Sequence, residues 1–239
     1  MSSRLIKVLV IVFCLVGVSS SNVFAKSMND MAHKPMNDML YNGLARNDVD
    51  MVKIAVDNGA NVNYKRGSQS PLHIAIDLKN IDMVLYLCQK SALIDIGILG
   101  NGLNNKTELI HAASVDSLPL IQFFIGQGEN VNATDKYKNT TLLTVLQSKE
   151  SRVDVLEKVN YLISQKANVN KANKDGYTPL MATANNSGDS EANIAIAKAL
   201  LTAGANADKK DNKKNTALQY AVNNNNKEMV QLLLTNYPN

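Results

Sequence analysis

Apolar positions in this chain fall into short and longer runs that alternate, separated by polar, turn-forming segments. The run from Leu72 to Leu78 predicts a brief helix. Ile81, Val84, Leu85, Leu87 and Cys88 then follow at helical spacing and predict a second, longer one. The same alternation returns downstream, where Ile194, Ile196, Ala197, Leu200 and Leu201 mark another second helix. The polar segments repeat too. Gly59-Ala60-Asn61-Val62-Asn63 comes back as Gly128-Glu129-Asn130-Val131-Asn132, Lys166-Ala167-Asn168-Val169-Asn170 and Gly204-Ala205-Asn206-Ala207-Asp208. Ser70, Thr107, Thr140, Thr178 and Thr216 open the short helices, at intervals of 37, 33, 38 and 38 residues. Self-similarity at such a period indicates serially stacked units.

Each unit follows one local logic. A turn rich in Gly, Asn or Asp is followed by Ser or Thr, whose hydroxyl caps a helix start. Pro71 and Pro179 sit just inside, where the missing N–H costs nothing. Gly59, Gly128 and Gly204 close the second helix, as a left-handed cap requires.

The phrases Ser70-Pro71-Leu72-His73-Ile74-Ala75 and Thr178-Pro179-Leu180-Met181-Ala182, in order with the glycine phrase, resemble the ankyrin repeat over about 200 residues. The resemblance implies an all-α solenoid of about six units: antiparallel helix pairs joined by hairpin-like fingers, with atypical caps. We place the units at about 37–66, 67–103, 104–136, 137–173, 174–211 and 212–239. It also implies a binding scaffold. The first unit has Asp38-Met39-Leu40 where the opening phrase belongs, and Asn223 to Asn226 form a polar turn in the last, as terminal caps do. Units four and five carry about five extra residues around Ser148–Asp154 and Ser187–Asn193, read as longer turns forming a ridge opposite the fingers. The finger with Ile96, Ile98, Leu99 and Leu103 is also long.

The chain's start reads differently. Arg4 and Lys7 precede an apolar run from Val8 to Val18, and Val23-Phe24-Ala25 supplies small residues for a peptidase. This predicts a signal peptide, 1–25, cut between Ala25 and Lys26, and so an exported, periplasmic or secreted protein. The run is shorter than the roughly 20 apolar residues a span needs, so no stable membrane insertion is expected after cleavage. Residues 26–36, with Pro35, read as a flexible lead. The mature chain has 23 basic and 21 acidic residues, too balanced for nucleic acid to be expected from charge. It keeps one cysteine, Cys88, and therefore no internal disulfide. The sequons at Asn105 and Asn139 overlap helix-opening Thr residues, where a glycan would crowd the fold; this favours bacterial export.

Candidate chemistry is sparse. His33 lies in the lead. His73 takes the histidine position of the resembling family, which implies a hydrogen bond that tightens the unit. His111 comes one residue later in its unit and reads as a plain polar contact. Cys88 lies on an apolar stripe, as a buried, inert thiol does. No metal-ligand spacing, nucleophile–base order, phosphate loop or cofactor motif is present, so no catalytic, cofactor or metal residues are expected and an enzyme is not. Asp135, Asp175 and Asp211 recur before the unit openings as turn formers.

The resemblance implies binding through finger tips and the adjoining concave face. Mapped here, the candidates are Tyr64, Lys65, Arg66, Lys106, Lys136, Tyr137, Lys138, Lys174, Tyr177 and Lys213. Tyr offers a low-entropy anchor, and aligned cations favour an acidic protein partner. The expected function is an exported protein–protein interaction scaffold. The alternatives are an immunity or inhibitor protein blocking a periplasmic enzyme or toxin, and a secreted host-directed effector.

Overall fold

A computed structural model describes residues 21–90, 107–187 and 190–235. Residues 1–20 of the expected signal peptide (1–25), the long finger and Lys106 lie outside the described residues. Twelve helices and no strand occur among the described residues: α1 (Ser21–Ala45), α2 (Val49–Asp57), α3 (Pro71–Asp77), α4 (Ile81–Gln89), α5 (Glu108–Ser114), α6 (Leu118–Gly126), α7 (Thr141–Leu146), α8 (Arg152–Ser164), α9 (Pro179–Ala184), α10 (Ser190–Thr202), α11 (Ala217–Asn223) and α12 (Lys227–Thr235). They pack as consecutive pairs, α1 on α2 through α11 on α12, and each short helix also packs on the short helix of the next pair. Contacts thus run between neighbours along the chain, which is the solenoid arrangement.

The local rules account for the elements. Ser70, Thr107, Thr140, Thr178 and Thr216 each accept a backbone N–H three residues on, from His73, Ile110, Leu143, Met181 and Gln219, at 3.2–3.4 Å. Pro71 and Pro179 open α3 and α9. Within the pairs, Asn47, Lys79, Asp116 and Asn225 take left-handed φ of 53–60° and turn the chain between helices. Gly59, Gly128 and Gly204, at φ 99°, 91° and 89°, end the second helices; Lys166 does the same at φ 65°. The core is one cluster of buried Leu, Ile, Val, Ala and Met running along the stack, with Phe124 its one buried Phe.

Two readings change. Residues 26–36, expected as a lead, are helical here: α1 runs from Ser21 with Pro35 inside it. Beyond that proline it is held by the first finger. Asn37 accepts the Asn61 N–H at 2.8 Å, and Asp38 pairs with Arg66. The extra residues of the α7–α8 and α9–α10 pairs mostly lengthen helices: α8 and α10 have 13 residues each, where α4, α6 and α12 have 9. Arg152, buried at the first position of α8, reaches across to α10. Its Nε donates to Asn193 Oδ1 at 2.7 Å and its Nη1 to the Leu146 carbonyl at 3.2 Å. Lys158, also buried, pairs with Glu150. A polar seam thus joins the two longer helices.

At the far end, Val222 and Leu234 stand 53% and 57% exposed. Ala184, in the place equivalent to Val222 one unit earlier, is fully buried. The last pair therefore shows solvent an apolar side that earlier pairs cover with their successor.

Candidate protein-binding edge

Two asparagines in three of the four connecting phrases build the base of the fingers, and the fourth carries Asp208 in the second place. The first closes its own turn: Asn130 Oδ1 accepts the Asn132 N–H and Asn168 Oδ1 the Asn170 N–H, both at 2.9 Å. The second reaches forward. Asn132 Oδ1 accepts the Asn168 N–H at 2.7 Å while its Nδ2 donates to the Lys166 carbonyl at 3.2 Å. Asn170 does the same to Asn206 and Gly204 at 2.8 and 2.7 Å. Lysines add to this ladder: Lys171 Nζ donates to the Asn132 carbonyl and Lys209 Nζ to the Asn170 carbonyl. These two cations are thereby drawn into the scaffold.

The tips are folded around inward-turned acceptors. Asp135 Oδ1 accepts the N–H groups of Tyr137 and Asn139, each at 2.8 Å. Asp211 Oδ1 accepts those of Lys213 and Asn215 at the same distance, and its Oδ2 accepts the Tyr220 hydroxyl at 2.6 Å. Burial opposes charge on Asp211, but the bonds from Tyr220, Asn215 and Lys213 outweigh it and hold its carboxyl below the usual range. Asn173, not Asp175, takes this part in the intervening finger, accepting from Asp175 and Tyr177. Asp175 is exposed instead.

Adjacent tips are bonded through their backbones. Lys174 N–H donates to the Tyr137 carbonyl at 2.9 Å, and Asn212 N–H to the Asp175 carbonyl at 2.9 Å. Asn212 Nδ2 adds a bond to the Lys174 carbonyl at 3.0 Å. Gly176 permits this approach. It sits at φ 76°, and a Cβ there would come within 3.0 Å of Asn212 Oδ1 and Asp211 Cα. The equivalent positions one unit to either side carry Lys138 and Lys214, at φ 63° and 69°.

The candidate residues divide into three groups on this framework. Lys65, Lys136, Lys138, Lys174 and Lys213 are exposed at the tips, and Tyr137 is 54% exposed with Lys136 Nζ 4.9 Å from its ring centre. Tyr64 is 39% exposed and meets Tyr41 edge-on at 6.2 Å. Arg66 is at the tip but engaged within the molecule, paired with Asp38 and lying 4.6 Å over the Tyr41 ring. Tyr177 belongs to the base, not the tip. Its ring packs edge-on against Tyr220 at 5.3 Å, its hydroxyl donates to the Met181 carbonyl, and burial pushes its pKa up to about 12. Sequence reasoning missed Tyr41, whose hydroxyl lies 2.7 Å from the Tyr64 carbonyl and accepts the Arg66 N–H at 2.9 Å. It organises the first finger from a buried position where the opening histidine would stand.

Away from the edge, His73 Nδ1 lies 2.7 Å from the Ser70 hydroxyl, and His111 Nε2 lies 2.6 Å from Asp77 Oδ1. The two imidazoles are 5.4 Å apart across the boundary between units. Cys88 is half-buried; burial first, then the nearby Glu108 and Glu129, push its thiol up to about 11. Both glutamates are buried, and Glu129 Oε2 accepts the Leu109 N–H at 3.1 Å at the start of α5. Glu108 stands where Pro71 and Pro179 open α3 and α9. Among the described residues no group of His, Cys, Asp and Glu could hold a metal ion, and no helix is long and apolar enough to cross a membrane.

The comparisons agree with this architecture. A family model for ankyrin repeats in three copies matches residues 28–98, 109–192 and 152–239. The chain belongs to the ankyrin repeat family, whose modules serve protein–protein interaction. A search of the curated proteins finds no match. Among solved structures, an ankyrin repeat domain from Acinetobacter baumannii AYE superposes with a TM-score of 0.69 at 24% identity, covering 82% of this chain and 96% of that one. The human ASB11 ankyrin repeat domain gives 0.69 at 19%, covering 84% and 83%. These two show the fold. A complex of the predatory endopeptidase Bd0816 from Bdellovibrio bacteriovorus with immunity protein Bd3460 gives 0.63 at 25%, covering 82% and 97%.

Proposed function

We propose that this chain is an exported, non-enzymatic scaffold that binds an acidic protein partner through its finger tips and the adjoining concave face, in the periplasm or outside the cell. One observation carries the reading. Along the tips, cations are exposed on a hydrogen-bonded framework, whereas Asp135 and Asp211 are turned inward onto backbone N–H groups. The side chains presented outward at the tips are therefore mostly cationic, with Asp175 and Asp208 exposed among them. Exposed tyrosines beside these cations offer anchors of low entropy. The apolar run and Val23-Phe24-Ala25 at the chain's start support export.

A second reading is an immunity or inhibitor protein that blocks an enzyme or toxin with the same edge. The likeness to a structure of an endopeptidase bound to an immunity protein favours it.

The test is affinity capture of the mature protein from the envelope of the exporting cell, followed by binding of the purified partner to charge-reversed protein. Changing Lys65, Lys136, Lys138, Lys174 and Lys213 to Glu should leave helical content unchanged and remove binding. Undiminished binding overturns the reading. Inhibition of the captured partner's own activity separates the second reading from the first.

A further inference from the structure

The geometry points to an extended acidic polypeptide segment as the ligand of one part of this edge, the ledge formed by the last three fingers at 136–138, 174–175 and 212–214. The inference rests on the protein-binding reading above and narrows it.

Continuity is the first ground. Lys174 N–H bonds to the Tyr137 carbonyl, and Asn212 bonds through its backbone to Asp175 and through its side chain to Lys174. Three tips thereby become one hydrogen-bonded ledge. Fingers tied together in this way do not part to clamp a ligand between them. They offer an outer lip that crosses three units, which suits a chain lying along it. Because the lip is already ordered, little conformational entropy is lost on binding.

Charge is the second. Lys138, Lys174, Lys213 and Lys214 are exposed on the ledge, and the carboxylates of Asp135 and Asp211 beneath it face inward. Asp175 is the exposed carboxylate that remains on the ledge. The cations are lysines, which are point charges without the planar fork that grips phosphate in two places. They match carboxylates spread along a flexible chain. Tyr137, exposed at one end with its backbone fixed on both sides, adds an apolar face for aliphatic stems of such a chain.

The experiment uses fluorescein-labelled oligoglutamate and the purified protein, followed by fluorescence anisotropy at low and raised salt. Saturable binding that weakens with salt is expected. Lys138→Glu/Lys174→Glu/Lys213→Glu should weaken it by more than about tenfold, and Tyr137→Ala severalfold. The control Lys53→Glu/Lys198→Glu, exposed on α2 and α10, should change nothing. Absence of binding at low salt overturns the inference. So does an equal loss in the control, or inorganic polyphosphate binding more tightly than oligoglutamate with no dependence on Tyr137. If oligoglutamate fails but ledge reversal still releases a captured folded partner, this inference falls and the scaffold reading stands. If reversal leaves that partner bound, both fall.

Discussion

The side-chain amide of Asn170 holds the next unit at two points, accepting the Asn206 N–H at 2.8 Å and donating to the Gly204 carbonyl at 2.7 Å. Asn132 makes the same clasp one unit earlier. An amide carries both an acceptor and a donor, whereas a carboxylate only accepts. Asn170→Asp should lose the donor and Asn170→Ala both. Urea denaturation is expected to show a loss of about 1 kcal/mol for the alanine variant.

Gly176 and Lys138 occupy equivalent places under different demands. Both have left-handed φ, and at Gly176 a Cβ would meet Asn212 and Asp211 of the next finger. Gly176→Ala should be strained and also crowd Asn212, destabilising by about 1–3 kcal/mol. Lys138→Gly should relieve strain and raise Tm while weakening partner binding. Thermal melts paired with binding measurements check both signs.

Acid and base should act on different groups. The Asp211 carboxyl is held low by Tyr220 and two backbone N–H groups, after burial is overcome. Its stabilisation is present above the unfolded value of about 3.9 and is lost as pH falls through the lower folded value. Asp211→Asn should flatten that acid limb. Burial raises Tyr86 and Tyr177 to about 12, and Asp57 adds to the effect on Tyr86. Their unfolded forms ionise near pH 10, so stability should fall as pH rises from there to about 12. Tyr86→Phe should reduce the fall, as read from denaturation at alkaline pH.

Cys88, raised to about 11, is almost wholly a thiol at neutral pH. The thiolate is the reactive form. Reaction with a disulfide reagent at pH 8 should be slow in the native protein and fast in denaturant. A rate equal to that of a free thiol in the native protein would contradict this.

Arg152 is a buried cation bonded to neutral groups. Arg152→Met alone removes the bond from Arg152 Nε to Asn193 Oδ1 and should destabilise. Paired with Asn193→Leu, it replaces a polar contact by packing and should be near neutral or stabilising, as buried charges often permit. Chemical denaturation of the single and double variants decides between these outcomes.

Much of this fold was legible because it is encoded locally. A hydroxyl at Ser70 or Thr178 and a glycine at Gly59 or Gly204 state their backbone role within a few residues, and their period places the units. The tips were legible in position for the same reason. What they do was not. Asp135 and Asp175 look alike in sequence, yet one is turned inward and the other exposed, because Asn173 holds the turn-forming place in the second finger. The Lys174–Tyr137 backbone bond joins residues far apart in the chain and carries no side-chain signal. Residues 26–36 read as a lead because Pro35 disfavours helix. The contacts that hold the helix after that proline, from Asn37 and Asp38 to the first finger, belong to tertiary structure.

Among the described residues, Val222 and Leu234 leave an apolar side of the α11–α12 pair open to solvent. A consensus module spliced on behind α12, with matching apolar helices, would find its docking surface ready. The array should accept such lengthening at this end without disturbance to the ledge, so its reach could be tuned by engineering independently of what it grips.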